Sequence, residues 1–292
     1  MNKTAFIFAL LAGTLWGIMG FFTKSLGALG FSSFEIACLR LTTAALTFIV
    51  YALIKDRESF KIKLREIPFL IFFGISGVTM TSITYFLSIK YSAMAISASL
   101  MYTAPAIVII AFCILFGEKL NMKKVTALFA AFIGACLVSG IMNEDNNATL
   151  LGVVFGLLSG LFYASYSIIG TVALKKHSSV KATLWAFIFA ALFSMIFANV
   201  PSLASKLIVC ENIGKVIALV LGIGIFSTFF PFILYTASLE RTKASKAVLV
   251  ASVEPLVAAL TGFAVFGETL TVYSAIGILL ILTSVVLTTK KD

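Results

Sequence analysis

Length, composition and charge already exclude most classes of protein for this chain. It has 292 residues, of which 61% are hydrophobic and only 12% are charged, whereas a typical soluble domain is about 45–50% apolar and about 25% charged. With a mean hydropathy of +1.10, a disordered chain, a soluble α/β enzyme and a disulfide-stapled secreted module are excluded. The apolar runs are about 20 residues long, the length of a helix that crosses a bilayer. We therefore predict an all-α integral membrane protein.

Charged or Gly/Asn-rich breaks divide the chain into ten apolar runs, each of which we interpret as a transmembrane helix. In chain order, the ten predicted spans cover residues 5–26, 33–54, 67–89, 93–116, 122–141, 150–172, 181–199, 213–237, 244–266 and 271–288.

The basic residues between these runs predict the direction of the chain. If the N-terminus is inside, seventeen of the 22 Lys and Arg residues fall in cytoplasmic segments and four in outer segments, while Arg40 lies within the second span. The positive-inside rule then places both termini in the cytoplasm, for a multi-pass protein of the plasma (inner) membrane. The net charge of +10 reflects this topology. It does not indicate nucleic acid, because no basic stripe with interleaved aromatic residues is present.

An internal repeat divides the chain into two halves. The pairs that align at an offset of 150 residues are Tyr85 with Tyr235, Ser88 with Ser238, Pro105 with Pro255, and Phe116–Leu120 with Phe266–Leu270. Each half has five spans, an odd number, so the second half enters the membrane in the opposite direction. We predict two inverted five-helix repeats, residues 1–142 and 150–292, joined by an outer linker at 143–149. Such halves favour alternating access to a site at the midplane.

These features together resemble the drug/metabolite transporter superfamily, in its ten-span EamA-type branch. The residues that carry the resemblance, spread over essentially the whole chain, are Trp16-Gly17, Lys24, Arg40, Pro105 and Gly117-Glu118 in the first half, and Tyr163, Tyr235, Glu254-Pro255 and Gly267-Glu268 in the second. The second half has no counterpart of Lys24 or Arg40, so any role of these cations is one-sided. The resemblance implies a secondary carrier with a central cavity that moves small organic metabolites, such as amino acids or amines, most often outward.

Glu254 is the main candidate for a functional charge, because it falls near the middle of the ninth predicted span. A charge at that depth costs about 2.5–3.5 kcal/mol on insertion scales. A carboxyl group can avoid much of this cost by taking up a proton, which makes Glu254 a candidate proton site or counter-charge for a cationic substrate. The alternative is architectural: as the residue before Pro255, it would bond backbone donors that are freed at the helix break.

Aromatic residues with a polar group are the candidates for the rest of the substrate site. Those inside predicted spans are Trp16, Tyr85, Tyr102, Tyr163, Tyr166 and Tyr235. Their rings suit aromatic or quaternary-ammonium groups through stacking or cation–π contact, and helix packing is the alternative for each. Pro105, Pro231 and Pro255 are candidate hinges, with static kinks as the alternative. For Arg40 we expect a structural cap or an ion pair at the outer rim.

Other classes fit the residues less well. The single histidine, His177, lies in a loop, no predicted span contains an aspartate, and no catalytic or nucleotide-binding motif is present, which disfavours an enzyme, a metal site, a cofactor and an ATP-driven pump. A pore-lining polar ring is absent as well. We therefore predict a monomeric exporter of a small-molecule substrate, with protons as a candidate coupling ion. Proton-coupled uptake of a quaternary amine or another small cation, and a non-catalytic membrane receptor, stay open as alternatives.

Overall fold

The computed structural model of the protein describes residues 1–91, 94–138, 149–209, 212–267 and 271–289, and within these residues the regular secondary structure is helical. The long helices are α1 (Lys3–Ala28), α2 (Ser33–Lys55), α3 (Leu64–Tyr91), α4 (Ile96–Phe116), α5 (Met122–Val138), α6 (Leu150–Ala173), α7 (Ser179–Ser194), α8 (Ile213–Leu239), α9 (Ala244–Phe266) and α10 (Val272–Leu287).

Seven of these helices in the described residues are long and apolar enough to cross a membrane, namely α1 to α4, α6, α8 and α9. The protein is thus a multi-pass, all-helical membrane protein. The helices α7 and α10 are apolar but shorter, and α5 has 17 residues. Each of these three overlaps a predicted span, and the number of ten crossings stays a prediction.

Capping hydrogen bonds explain where the helices α2 and α7 begin. At the start of α2, the Ser32 N–H donates to Glu35 Oε2 at 2.7 Å and the Glu35 N–H donates to Ser32 Oγ at 3.3 Å, a reciprocal cap. The Ser178 hydroxyl caps α7, which begins and ends earlier than the predicted span 181–199. A further short helix, Val200–Val209, follows in a segment where the sequence predicts a loop.

Two pairs of helices carry the same backbone irregularity at repeat-related places. The helices α4 and α9 are interrupted at Tyr102–Thr103 and at Ser252–Val253, and a new helical piece follows each break. Both new pieces end at a left-handed glycine, Gly117 with φ 63° and Gly267 with φ 66°, a conformation that glycine adopts without strain. The helices α3 and α8 each contain a π-helical stretch, Ile75–Met80 and Gly222–Phe229.

The two halves pack against each other through nearly every helix. The helix α1 packs on α8 and α9, and α6, its repeat partner, packs on α3 and α4. Further contacts between halves join α2 with α7 and α8, α3 with α7, α4 with α9, and α5 with α9 and α10. The largest apolar cluster lies between the halves and includes the fully buried rings of Phe48, Phe73 and Phe187.

Candidate functional site

A cavity of about 430 Å³ lies between the two halves. Its walls come from α1, α2, α3 and α4 of the first half and from α6, α8 and α9 of the second. Most of the wall is apolar, and the charged side chains of Arg40, Lys24 and Glu254 line it as well. Apolar walls with a few fixed polar groups are typical of sites for small organic molecules.

Glu254 enters the cavity at the point where α9 is interrupted. It is the first residue of the piece Glu254–Phe266, and only 8% of its surface is exposed. The Tyr163 hydroxyl donates to Glu254 Oε2 at 3.4 Å, and the Tyr102 phenol also approaches this carboxyl group. Both partners are side chains from α6 and α4. The architectural alternative, bonds from Glu254 to freed backbone donors, finds no such bond among the described residues.

The aromatic rings next to Glu254 form one connected wall. The Trp16 ring meets the Tyr163 ring edge-on at 6.1 Å between centroids and the Phe232 ring at 5.1 Å. These three residues, together with Tyr85 and Tyr102, line the cavity. Of the six aromatic residues predicted for the substrate site, the structure thus brings Trp16, Tyr85, Tyr102 and Tyr163 to the cavity.

Tyr166 and Tyr235 occupy a different place, in the packed core behind this wall. Their hydroxyl groups face Thr236 Oγ1 at 2.7 Å and Ser167 Oγ at 2.8 Å, respectively. Both rings are almost fully buried, and neither belongs to the cavity wall. The two phenols therefore have fixed partners in the resting protein, and a direct contact with the substrate stays a prediction that this placement does not favour.

The three prolines each stand at the second position of a helical piece. Pro105 and Pro255 follow the breaks in α4 and α9, and Pro231 follows the π-helical stretch in α8. Because the first residues of a helix have no intrahelical partner for their N–H groups, Pro105 and Pro255 cost no hydrogen bond after the breaks, whereas Pro231 lies within the continuous helix α8. Pro255 lines the cavity. Their role as hinges stays a prediction.

Arg40 differs from the sequence-based expectation. The rim ion pair belongs to Glu35, whose Oε2 accepts from Lys206 Nζ at 2.8 Å. Arg40 instead lines the cavity, where its Nη1 donates to Met19 Sδ at 2.8 Å and its Nη2 donates to Ser82 Oγ at 2.7 Å. The sequence signals only that Arg40 lies deep in a span, because its partners on α1 and α3 are set by tertiary packing.

A second buried charge cluster lies at the other end of α4 and α9. Glu118 Oε1 accepts from Lys124 Nζ at 2.5 Å and from Ser245 Oγ at 2.6 Å, and Lys243 Nζ is 3.9 Å away. This cluster joins the end of α4 to the starts of α5 and α9. Glu268, the repeat partner of Glu118, lies outside the described residues, as do most of the linker 143–149 and Cys210. Among the described residues, no group of three or more His, Cys, Asp or Glu is placed to hold a metal.

The chain belongs to the EamA-like transporter family. The sequence profile of this family matches it twice, at residues 3–140 and at residues 150–290. Two proteins of Archaeoglobus fulgidus, each described as an uncharacterized transporter, are 30% identical over 73% of both chains and 28% identical over 96% of this chain and 97% of the relative. An uncharacterized inner membrane transporter of Salmonella typhimurium is 23% identical over 95% of this chain and 92% of the relative.

A solved structure shares the fold. A crystal structure that covers 99% of this chain, and 97% of its own, superimposes with a TM-score of 0.82 at 17% identity. At this identity the likeness concerns the fold alone. The family, the relatives and the apolar helices together define a multi-pass membrane transporter, which binds a small-molecule substrate within the bilayer.

Proposed function

We propose that this protein is a secondary transporter that exports a small organic metabolite, such as an amino acid or an amine, across the plasma membrane by alternating access. The observation that carries the proposal is the cavity between two repeat-related halves, with a buried carboxyl group and a wall of aromatic rings. The protein works as a monomer in this proposal, since both walls of the cavity come from one chain.

Three independent observations support an inverted repeat of two five-helix units. The family profile matches once in each half. The breaks and glycine ends of α4 recur in α9, and the π-helical stretch of α3 recurs in α8. The packing partners of α1 also map onto those of α6 when the halves are exchanged. A pseudo-two-fold relation of this type is the usual basis of alternating access in transporters.

The position of the cavity supports an outward-facing state. The lining residues of α1 lie in its second half, from Trp16 to Lys24, those of α2 lie in its first half, from Ser33 to Arg40, and those of α9 lie after Glu254. With both termini in the cytoplasm, as the distribution of basic residues predicts, all three stretches lie toward the outer surface. The Glu118 cluster then lies at the closed cytoplasmic end.

Glu254 is the candidate for the proton site or for the counter-charge to a cationic group. A buried carboxyl group is costly as an anion unless it is paired, and intramembrane acids in transporters commonly serve ion or substrate pathways. The contacts of Glu254 with Tyr163 and Tyr102, two residues of the aromatic wall, support this role. The rings suit apolar, aromatic or cationic parts of a solute.

The test is transport by purified protein in proteoliposomes, measured as counterflow of a panel of neutral, cationic, anionic and zwitterionic metabolites. We expect at least one solute to cross, and we expect Glu254→Gln and Trp16→Ala to slow it by at least about tenfold each, the effect of losing one good polar or aromatic contact. Glu58→Gln, which changes an exposed carboxylate, is the matched control and should transport at the rate of the unchanged protein.

Two results would contradict this proposal. If no solute in the panel crosses above the rate of empty liposomes, the transport function is wrong. If a solute crosses and both variants keep the full rate, the protein is a transporter but the assignment of the site is wrong. If a solute crosses, its transport in inside-out vesicles is compared with that in right-side-out vesicles, which decides between export and the alternative of proton-coupled uptake.

A further inference from the structure

Arg40 is a cation inside the cavity whose electrostatic partner, Glu254, lies beyond ion-pair distance. It stands on α2, and its partly buried side chain lines the cavity. Within the described part of the chain, no carboxylate lies within 4.0 Å of its guanidinium group, and Arg40 Nε is buried without a hydrogen-bond partner. An arginine stays protonated in proteins, so this side chain keeps its full charge in the resting protein.

The contacts of Arg40 fix its position but do not balance its charge. One contact is to the Met19 thioether and the other is to the Ser82 hydroxyl, which itself donates to the Val78 carbonyl. A thioether is a weak acceptor and a hydroxyl is neutral. The guanidinium group has five N–H donors, and these two bonds use two of them. Nη1 and Nη2 each keep a second N–H group, and the positive charge, for a partner that enters the cavity, whereas the buried Nε is shielded from it.

The cavity also has an acidic group that is separate from Arg40. Glu254 lines the same space from α9, yet it does not form an ion pair with Arg40 at 4.0 Å or less. Phenols and rings, which include Tyr85 and Trp16, line the same cavity. The remaining charged group of the wall is Lys24, which lies over the Phe266 ring at 4.8 Å near the outer end of α1. The arrangement offers a fixed cation and a carboxyl group to one solute.

We propose that Arg40 is the anion-binding residue of the transport site, and that the solute is a zwitterion whose carboxylate binds Arg40 while its ammonium group lies toward Glu254 and the tyrosines. This inference rests on the proposed transport function and adds the substrate class to it. The planar fork of a guanidinium group matches a carboxylate with two parallel hydrogen bonds, which a lysine does not reproduce. The one-sided occurrence of Arg40 in the repeat fits a polar solute that is held in one orientation.

The experiment compares three forms of each solute on the purified protein: the common L-amino acids, their methyl esters, which lack the carboxylate, and the corresponding deamino acids, which lack the ammonium group. Ligand-induced thermal stabilisation gives a dissociation constant for each probe, and counterflow gives transport. The variants are Arg40→Gln, Arg40→Lys and Glu254→Gln, with the exposed Arg57→Gln as the matched control.

We expect the best amino acid to bind the unchanged protein, and the Arg57→Gln control, more tightly than its ester does. Arg40→Gln should weaken binding of the free amino acid by at least about tenfold, the size of one charge-assisted hydrogen bond, and leave the ester within about twofold. Arg40→Lys should weaken binding of the free acid nearly as much, because lysine keeps the positive charge but lacks the planar fork of donors. Glu254→Gln should weaken the amino acid but spare the deamino acid.

A structural role and a binding role for Arg40 predict different effects of its removal on the stability of the ligand-free protein. Removal of a structural arginine would lower the melting temperature of the ligand-free protein, whereas removal of a binding charge should leave it unchanged or raise it, since binding residues are commonly placed at a cost to stability. The inference is overturned if the esters bind as well as the free acids, if Arg40→Gln keeps the affinity for the free acid, or if only solutes without a carboxylate cross. In the last case transport itself still stands. If nothing crosses, the proposed function fails with it.

Discussion

At the residue scale, two tyrosines on α6 show how neighbouring phenols acquire different roles. The Tyr163 hydroxyl donates to the Glu254 carboxyl group at the cavity, while the Tyr166 hydroxyl shares a hydrogen bond with Thr236 in the buried core. They are three residues apart, one turn of the helix, and their chemistry is identical. The difference comes from the helix that each tyrosine faces, which is α9 for Tyr163 and α8 for Tyr166.

We expect Tyr163→Phe and Tyr166→Phe to have opposite effects. Tyr163→Phe removes a group from the site, so transport should fall several-fold while the melting temperature changes little. Tyr166→Phe leaves the Thr236 hydroxyl, which is fully buried, without that partner, which should cost about 1 kcal/mol of stability and leave transport unchanged. Counterflow and thermal unfolding on the same preparations measure both effects. If Tyr166→Phe impairs transport at full stability, Tyr166 belongs to the site after all.

The glycines of α1 give a second contrast at the residue scale. A Cβ atom at Gly17 would stand 2.6 Å from Val257 Cβ and 2.7 Å from the Glu254 carbonyl oxygen, so α1 touches α9 through its backbone. At Gly20, three residues later, a Cβ atom would meet nothing within 4 Å. Gly17 is therefore a packing position, and Gly20 faces the open cavity.

We expect Gly17→Ala to lower the stability by about 1–3 kcal/mol, the usual cost of forcing an extra methyl group into a packed interface. Gly20→Ala should leave the melting temperature unchanged or raise it slightly, because alanine favours a helix and meets no clash. Thermal unfolding of the purified variants is the measurement. Equal losses for the two variants would contradict the close contact of α1 with α9.

At the element scale, Glu118 joins three helices at the end opposite the cavity. The side chains of Glu118 and Lys124 are 4% and 10% exposed, respectively, so the ion pair that links α4 to α5 is shielded from water. The Ser245 hydroxyl of α9 donates a hydrogen bond to the same carboxylate. Removal of one member of a buried pair leaves the other charge uncompensated, which is far more costly than the loss of an exposed pair.

We expect Lys124→Met to destabilise the protein by about 3–5 kcal/mol, and we expect Glu118→Gln in the same chain to recover part of this loss. Lys243, at 3.9 Å, limits the effect by partial compensation. The matched control is Lys61→Met, which breaks the exposed pair with Glu58 and should cost less than about 1 kcal/mol. Thermal unfolding checks all three. A loss for Lys124→Met no greater than for Lys61→Met would mean that this cluster does not hold the helices together.

Elements of this fold differ in how far local sequence determines them. The breaks in α4 and α9 follow from Pro105 and Pro255, and their ends follow from Gly117 and Gly267, since each depends on the backbone chemistry of one residue. The cavity residues Trp16 and Glu254 are also predictable, because a polar group deep in an apolar span needs a partner. The place of Arg40 and the burial of Tyr166 behind the wall are not, because both depend on the rotation of one helix against another, which an almost uniformly apolar sequence does not specify.

At the scale of the whole molecule, the two halves are alike in sequence but occupy different environments. Ala258 of α9 lines the cavity, whereas Val108, which aligns with it at an offset of 150 residues, is fully buried in α4. The same contrast holds for Gly262, which lines the cavity, and for Phe112, which aligns with it at the same offset and is buried. If the halves exchange conformations during transport, the surface around Val108 should become the wall of a cavity that opens on the other side.

We therefore expect a cysteine at position 108 to react from the cytoplasmic side and a cysteine at position 258 from the outer side, each in only one of the two states. The measurement uses Val108→Cys and Ala258→Cys, made separately in a chain without its native cysteines, and a membrane-impermeant thiol reagent applied to inside-out and right-side-out vesicles. A transported solute should change the two labelling rates in opposite directions, because it shifts one equilibrium between two states. Ala190→Cys, at a fully buried position of α7 outside the cavity wall, is the control and should stay unreactive from both sides. If Val108→Cys stays unreactive while transport proceeds, the first half does not open in the way that the second half does, and the repeat would be a relic of duplication without a role in the transport cycle.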